Sequence, residues 1–241
     1  MPGLLKSASY GRGAFKRTKL GFTGKQFSTG LKFPPGLTFY KDFRSAVKLS
    51  LHANFSLGSP RFTFTSTNGL FTITSAGYQA TTANDEVLTY LIDKNRTAAQ
   101  ETIVIKFTLS TVGGTGFFFD SDDDRRVAYR PVGDPLKFTY YPNFTKNNLI
   151  KAVGADLAAN TTYTIAVVTQ HASPYINIFH NGTSEGTYTT GDYTTNAMGT
   201  LFYIGCRNDG TSQMLGTVKS TAYFNRALSA SEVSAVYNII K

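Results

Sequence analysis

The chain has 241 residues and a formal net charge of +9, with 41% hydrophobic residues, 22 Gly, 14 Tyr, 19 Phe and no Trp. This length suits one large all-β domain with an extra segment, or two small domains. No apolar stretch approaches the ~20 residues of a membrane-spanning helix, so we expect no integral membrane protein and no membrane partner. The single cysteine, Cys206, excludes an intrachain disulfide and is typical of a reducing compartment.

Residues 1–35 carry most of the excess positive charge. They contain seven Lys and Arg and no acidic residue, whereas the other 206 residues hold 17 Lys and Arg against 15 Asp and Glu. The segment is Gly-rich and ends at Pro34-Pro35-Gly36, which stops any regular helix or strand. We therefore predict an extended basic N-terminal arm over residues 1–36 and a nearly neutral domain over residues 37–241.

Basic and aromatic residues are interleaved along this arm. Its charge attracts an acidic protein surface over a long range, and its glycines let the backbone follow that surface. The same interleaving can bind nucleic acid by charge and stacking, which is the alternative. We predict that a neighbouring protein subunit, rather than nucleic acid, binds the arm through Lys6, Tyr10, Arg12, Phe15, Lys16, Arg17, Lys19, Phe22, Lys25 and Phe27.

Short strand patterns follow one another along the rest of the chain. Residues 101–110 place Ile103, Ile105 and Phe107 on one face of a strand. Asn181-Gly182 separates two patterns and is a strong hairpin signal. The other patterns occupy residues 46–57, 61–67, 70–74, 87–92, 114–120, 126–131, 136–141, 161–170, 174–190, 200–206 and 216–225.

The closing stretch carries the clearest helix signal. Ser229 as N-cap and Glu232 three residues later form a capping box, and Leu228 before the cap forms a hydrophobic staple with Val233. We expect a short amphipathic helix that lies on a sheet or on an edge of the fold. Its apolar stripe consists of Val233, Val236, Tyr237 and Ile240.

These patterns together predict the fold class. Strands that alternate with helices are absent, which argues against a parallel α/β sheet. About twelve to fourteen short strands indicate an all-β fold made of two packed sheets. We predict an antiparallel two-sheet jelly-roll sandwich with an extended N-terminal arm and a short C-terminal helix.

The closing stretch resembles the end of the laminin-G-like, concanavalin A-like jelly rolls. That family ends in a strand, then Y-N-R-A-L-S-x-x-E, then a helix with Tyr-Asn. This chain has FNRALS at residues 224–229, followed by Glu232 and Tyr237-Asn238. INIFHNG at residues 176–182 is similar to the family's strand that ends in an Asn-Gly turn.

This resemblance covers residues 85–241 and implies a concanavalin A-like jelly-roll domain over residues 37–241. It carries little information on function, because the same sandwich serves sugar binding, glycan hydrolysis and assembly. The family also implies an alternative function for this chain, a lectin-like glycan-binding module of a tail or receptor-binding protein. Some laminin-G-like domains hold calcium at loop edges, so the resemblance leaves a calcium site open.

A second resemblance covers residues 37–75. The segment is similar to one found ahead of such jelly rolls in tailed-phage virion proteins, and it keeps Asp42-Phe43 and the FTFT of residues 62–65. It departs from that pattern at Ser66-Thr67, where Arg-Ala is usual. The resemblance implies a virion structural protein, a head decoration or accessory subunit assembled in the host cytoplasm. Its expected partners are the major capsid protein and further copies of itself.

Catalytic carboxylates are not indicated by the sequence. A glucanase on this fold resembles the pattern E-x-D-x-x-E, because retaining cleavage needs two carboxylates across one strand face. The four glutamates belong to no such triplet, and the Trp that sugar clefts favour is missing. We therefore predict a protein that is not an enzyme. The glutamates are Glu86, Glu101, Glu185 and Glu232.

No metal or cofactor site is predicted from the residues themselves. The acidic run at Asp120 has the spacing of a calcium loop, but Arg125 replaces the glycine and Pro131 replaces the final glutamate. A solvated hairpin tip with local Asp–Arg pairs is the preferred interpretation. The histidines, His52, His171 and His180, are scattered, and Cys206 is expected to pack as a small apolar residue.

Overall fold

Fourteen strands and one helix make up the described part of the chain. The computed structural model describes residues 32–44, 72–80, 88–91, 100–111, 116–121, 126–130, 137–141, 150–151, 157–170, 176–188, 201–207 and 213–241. The helix, α1, spans Ala230–Ile240. The strands are β1 (Leu37–Asp42), β2 (Thr72–Thr74), β3 (Gly77–Ala80), β4 (Leu88–Leu91), β5 (Glu101–Leu109), β6 (Gly116–Ser121), β7 (Arg126–Arg130), β8 (Lys137–Tyr141), β9 (Ile150–Lys151), β10 (Thr162–Thr169), β11 (Ile176–His180), β12 (Thr183–Tyr188), β13 (Leu201–Ile204) and β14 (Gly216–Phe224).

The strands form two sheets whose named pairings are all antiparallel. The first sheet has the order β12-β11-β10-β5-β14-β3-β2, and β1 also pairs with β14. The second has the order β4-β13-β6-β7-β8-β9. The predicted all-β, antiparallel two-sheet sandwich with a C-terminal helix is therefore confirmed. The strand patterns predicted at residues 46–57 and 61–67 lie outside the described residues.

Strand β5 lies at the centre of the first sheet and is buried on both faces. Phe107 faces the second sheet, where its ring centroid lies 4.0 Å from that of Phe118 in β6. The opposite face, called the outer face below, carries Thr102, Val104 and Lys106, which are buried as well. The apolar face predicted for residues 101–110 is confirmed, and the second sheet covers it. The outer face is buried because a further layer packs on it.

Helix α1 and Phe33 provide that further layer. Val233, Val236 and Ile240 of the helix share one buried cluster with residues of five strands of the first sheet. Because the sheet is apolar on both sides here, it has the continuous hydrophobic pattern of a fully covered strand layer. The cluster consists of Phe33, Leu37, Val104, Ala166, Val168, Phe179, Ala222, Phe224, Leu228, Val233, Val236 and Ile240.

The β11–β12 hairpin turns at Asn181-Gly182, as the sequence predicts. Both residues have positive φ, 50° and 82°, which a two-residue hairpin turn of this type requires. The Asn181 side-chain oxygen accepts a hydrogen bond from the backbone N–H of Thr164 at 2.9 Å. A Cβ on Gly182 would lie 3.0 Å from the ring of Tyr237, so the helix packs closely against the turn.

The N-terminus of α1 has the predicted capping box. The backbone N–H of Glu232 donates to the Ser229 hydroxyl at 3.3 Å, and the Glu232 carboxylate accepts from the backbone N–H of Ser229 at 2.9 Å. Leu228 and Val233 belong to the same buried cluster, as expected of a hydrophobic staple. Arg226 also binds the Glu232 carboxylate, so this one side chain joins the cap to the preceding strand.

The C-terminus of α1 is satisfied by a side chain from the sheet. The buried Lys106 ammonium donates to the backbone carbonyl of Ile240 at 2.6 Å. The last turn of the helix contains no basic residue of its own. A cation at this end interacts favourably with the unsatisfied carbonyls, so Lys106 replaces the missing basic residue.

Replacing Ile240 with alanine tests the helix as a cover of the sheet. Ile240 is fully buried, so we expect the free energy of unfolding to fall by about 2–5 kcal/mol. Ile239 is only partly buried, and Ile239→Ala serves as the matched control with a smaller loss. Urea unfolding monitored by fluorescence measures both. Equal losses would contradict the proposed role of the buried stripe.

The Glu232 carboxylate makes stability depend on acid pH. Hydrogen bonds from Arg226 lower its pKa from 4.5 to about 2. The unfolded chain therefore binds more protons than the folded one between these values, and stability falls as the pH drops from about 4.5 to about 2. Thermal unfolding across this window should show a smaller pH dependence for Glu232→Gln than for the parent chain. Identical slopes would mean that the carboxylate is not held in this way.

Candidate functional site

The described end of the arm is a short segment packed on the domain. We call residues 32–36 the arm root. The ten predicted partner-binding residues, from Lys6 to Phe27, lie outside the described residues. The root is therefore the part of the arm whose contacts the structure shows.

Aromatic packing holds the first half of the root. Phe33 is 8% exposed and belongs to the buried cluster under α1. Its ring centroid lies 4.9 Å from that of Tyr40 and 6.5 Å from that of Phe224. Such tilted aromatic pairs stabilise beyond the area that they bury. The root thus begins inside the hydrophobic core of the outer face.

Arg226 holds the second half of the root. Its Nε donates to the carbonyl of Pro35 at 2.8 Å, while its terminal nitrogens bind both oxygens of Glu232. The backbone N–H of Asn225 donates to the carbonyl of Gly36 at 3.1 Å. Since charge-assisted, bidentate pairs are strong and directional, Arg226 fixes the root, the closing strand and the helix cap in one arrangement.

Glycine at position 36 is required by this arrangement. Gly36 has a φ of +84°, and a Cβ there would lie 3.0 Å from the Arg226 side chain. A larger residue would meet both backbone strain and a steric clash. The chain then turns directly into β1, where Leu37 lies opposite Phe224 and Asp42 lies opposite Ser220 on β14. The root therefore leads into the sheet without a flexible link.

Most of the described carboxylates are either bound by neighbouring groups or buried inside the fold. Glu232 caps α1, and Asp42 accepts two hydrogen bonds from the Arg44 guanidinium at 2.9 Å. Glu101 and Asp120 are almost fully buried. The prediction of a solvated tip is wrong for Asp120, because it lies within β6, 0% exposed.

The remaining candidate groups that the structure describes are His180 and Cys206. His180 is buried, stacks on Tyr163 at 5.2 Å and lies 3.7 Å from Glu185; burial lowers the pKa of its ring. Cys206 is buried, as predicted. His52 and His171 lie outside the described residues. Within the described ranges, no three His, Cys, Asp or Glu side chains come together as metal ligands, and no helix could cross a membrane.

Sequence reasoning missed the contact between Arg226 and Pro35. Pro35 and Arg226 are 191 positions apart in the sequence. The sequence singled out Pro35 only as part of Pro34-Pro35-Gly36, the predicted end of the arm. The arginine of the FNRALS motif carried the signal, since a guanidinium presents several donors that favour carboxylate and carbonyl partners. Its partners are set by the packing of β1 against β14 and are not a property of the motif alone.

Comparisons with known proteins agree with the fold. No curated protein sequence matches the chain. Domain 4 of AbnA, a GH43 extracellular arabinanase from Geobacillus stearothermophilus, solved in complex with arabinotriose, is similar at 13% identity and a TM-score of 0.55. The match covers 85% of this chain and 98% of that one.

Two larger proteins contain a similar domain. The Trypanosoma rangeli sialidase in complex with sialic acid is similar at 11% identity and a TM-score of 0.58, over 86% of this chain and 34% of the sialidase. Botulinum neurotoxin type C, whose cell entry depends on two ganglioside molecules, is similar at 10% identity and a TM-score of 0.51. That match covers 68% of this chain and 42% of the solved chain. The chain thus spans about a third of the sialidase that it resembles.

The family match rests on the sequence itself. The model of the concanavalin A-like lectin/glucanases superfamily matches residues 89–234, more than half of the chain. This range includes the β11–β12 hairpin, the FNRALS motif, the capping box and the first five residues of α1. The fold occurs both in enzymes and in binding modules, so the match shows the architecture of the chain and not its function. The chain belongs to the concanavalin A-like lectin/glucanase superfamily.

Proposed function

We propose that the chain is a non-catalytic virion structural protein, an accessory or decoration subunit of a phage head. The jelly-roll domain is the exposed body, and the arm binds neighbouring subunits, chiefly the major capsid protein. The protein acts in the virion after assembly in the host cytoplasm. The resemblance of residues 37–75 to tailed-phage virion proteins supports the virion as its location.

The packed arm root is the observation that carries this proposal. A tether is effective when the force on it reaches a rigid body, and here Phe33 and Arg226 join the root to the sheet and to α1. A weakly held tail would need no such anchoring at its base. The direct passage from Gly36 into β1 gives the arm a fixed starting point and direction.

The charge of the arm supports an acidic protein surface as its partner. Residues 1–35 carry +7, and the rest of the chain carries +2. Such asymmetry accelerates encounter with an anionic shell, and aromatic side chains then contribute buried area. Several arms on an oligomeric body would raise the overall affinity without any new contact, because the later binding events are intramolecular.

The surroundings of the carboxylates support a non-catalytic role. Hydrolysis of glycosides needs two carboxylates on either side of an accessible sugar bond. Of the described ones, Glu232 caps a helix, Asp42 pairs with Arg44, and Glu101 and Asp120 are buried. Glu232 and Asp42 are thus held by structural partners, and the burial of Glu101 and Asp120 keeps a substrate from reaching them.

Deletion of residues 1–31 tests the tether. The root remains, so we expect an unchanged unfolding temperature together with loss of the protein from assembled particles, measured by gel analysis of purified virions. A matched variant replaces Lys6, Arg12, Lys16, Arg17, Lys19 and Lys25 with Gln and separates charge from length.

Undiminished incorporation of the deleted form would contradict the proposal. The proposal is also contradicted if the arm binds DNA with a steep salt dependence but has no affinity for empty shells, because nucleic acid is then the partner of the arm.

Glycan binding is the second candidate function. It is favoured by domain 4 of the arabinanase, an arabinotriose complex that is matched over 98% of its length. At 13% identity this similarity concerns the fold, so the ligand does not transfer with it. Micromolar binding of the full chain to neutral oligosaccharides, retained after deletion of residues 1–31, would favour a lectin over a capsid subunit.

A further inference from the structure

The arm root contacts the domain in the way that a short bound peptide does. Phe33 enters the buried cluster beside α1. The carbonyl of Pro35 accepts a hydrogen bond from Arg226, and the carbonyl of Gly36 accepts one from the backbone N–H of Asn225. Both donors belong to the segment that joins β14 to α1. An anchored side chain combined with bonds to main-chain carbonyls is a common way in which a groove binds an extended peptide.

The two prolines of the root restrict it to an extended form before it binds. A proline ring fixes its own φ, and it keeps the residue before it out of the helical region. Phe33 and Pro34 each precede a proline, so both are restricted in this way. Such a segment loses little conformational freedom when it docks. Because proline has no N–H, the carbonyls are the polar groups of the root that need partners.

The guanidinium that receives the root is oriented by contacts outside the root. Arg226 binds both oxygens of Glu232, and one of its terminal nitrogens also donates to the carbonyl of Ala227 at 3.2 Å. Its backbone is fixed as well, because the buried Thr102 hydroxyl donates to the Arg226 carbonyl at 3.0 Å. The same hydroxyl accepts from the backbone N–H of Leu228 at 3.0 Å. The helix cap and β5 therefore hold this donor in position.

The two rings that receive Phe33 are fixed by the sheet. Phe224 is the last residue of β14, and Tyr40 lies opposite Ala222 in the β1–β14 pair. The hydroxyl of Tyr40 is 3.5 Å from the Asp42 carboxylate, which holds the far end of the ring. The ring of Phe33 packs on both, at the centroid distances given above. The positions of the two receiving rings thus follow from strand pairing.

We propose that Arg226, Tyr40 and Phe224 form a binding site for extended peptides of the form aromatic-Pro-Pro-Gly, and that the chain's own arm root fills it. The glycine belongs to this ligand because the backbone of Gly36 passes close to the Arg226 side chain. The contact is autoinhibitory, since a ligand joined to the domain competes at an effective concentration on the order of millimolar.

A peptide from another chain binds this site once the root has left it. The site is a property of the domain, so it does not depend on which partner binds residues 1–31. Its specificity comes from three features of the ligand: a ring that fits the cluster, two prolines that keep the segment extended, and a carbonyl that meets the Arg226 Nε–H.

An NMR titration of the full chain that carries Phe33→Ala tests the site. This change removes the ring from the root and leaves the receiving side of the site intact. A capped peptide with the sequence KFPPG of residues 32–36 should shift the amide signal of Asn225 and the Nε–H signal of Arg226. In the parent chain the same peptide should shift neither signal, because the root occupies the site.

Controls on the peptide keep the test decisive however the protein variants fold. KAPPG lacks the ring and should give no shifts, and KFAAG should bind more weakly because it loses more freedom on binding. On the protein, Arg226→Gln in the Phe33→Ala chain should weaken KFPPG binding about tenfold, as expected for the loss of one charge-assisted hydrogen bond. Arg44→Gln is the matched control and should change nothing, since Arg44 also pairs with a carboxylate, that of Asp42.

Four results would overturn the proposal. Equal shifts from KFPPG and KAPPG would mean that the ring contributes nothing to binding. Equal binding of KFPPG to the parent chain and to the Phe33→Ala chain would mean that the root does not fill the site. Loss of the folded NMR spectrum in Phe33→Ala would make the root a part of the core and not a ligand. Equal losses for Arg226→Gln and Arg44→Gln would exclude Arg226 as the donor.

Discussion

The need to cover both faces of the first sheet is the constraint on which the rest of the structure depends. Val104, Ala166 and Phe224 make the outer face apolar, so without a cover they would meet water. Burial of such surface is the main favourable term in folding. Helix α1 and Phe33 supply this cover from the two extremes of the described chain. The closing motif of the family therefore has a structural purpose in this protein.

Arg226 and Lys106 show how this cover is held in place. Arg226 binds the N-terminal end of the helix and the arm root, and Lys106 binds the carbonyl at the other end. Hydrophobic contact is non-directional, whereas these hydrogen bonds fix where the helix begins and ends on the sheet. As a result, the root is at one end of the outer face, and a polar surface remains at the other.

Membership of the superfamily shows the fold, and the biological role depends on features added to the sandwich. The same two-sheet architecture occurs in a sialidase and in an arabinanase module, so function has to be argued from particular side chains. In the described part of this chain, one such feature is the arm root, which Phe33 and Arg226 hold against the sheet and α1.

The sequence by itself determined the local elements, and the tertiary structure decided what they contact. The capping box at Ser229, the turn at Asn181 and the inner face of β5 follow from near neighbours and strand periodicity, so they were predictable.

The bonds from Arg226 to Pro35 and from Lys106 to Ile240 join residues 191 and 134 positions apart, and the burial of Asp120 depends on its surroundings in the fold. No short-range pattern encodes such pairs. They arise because β1, β5 and β14 are brought side by side, and sheet pairing, unlike capping, is not local in sequence.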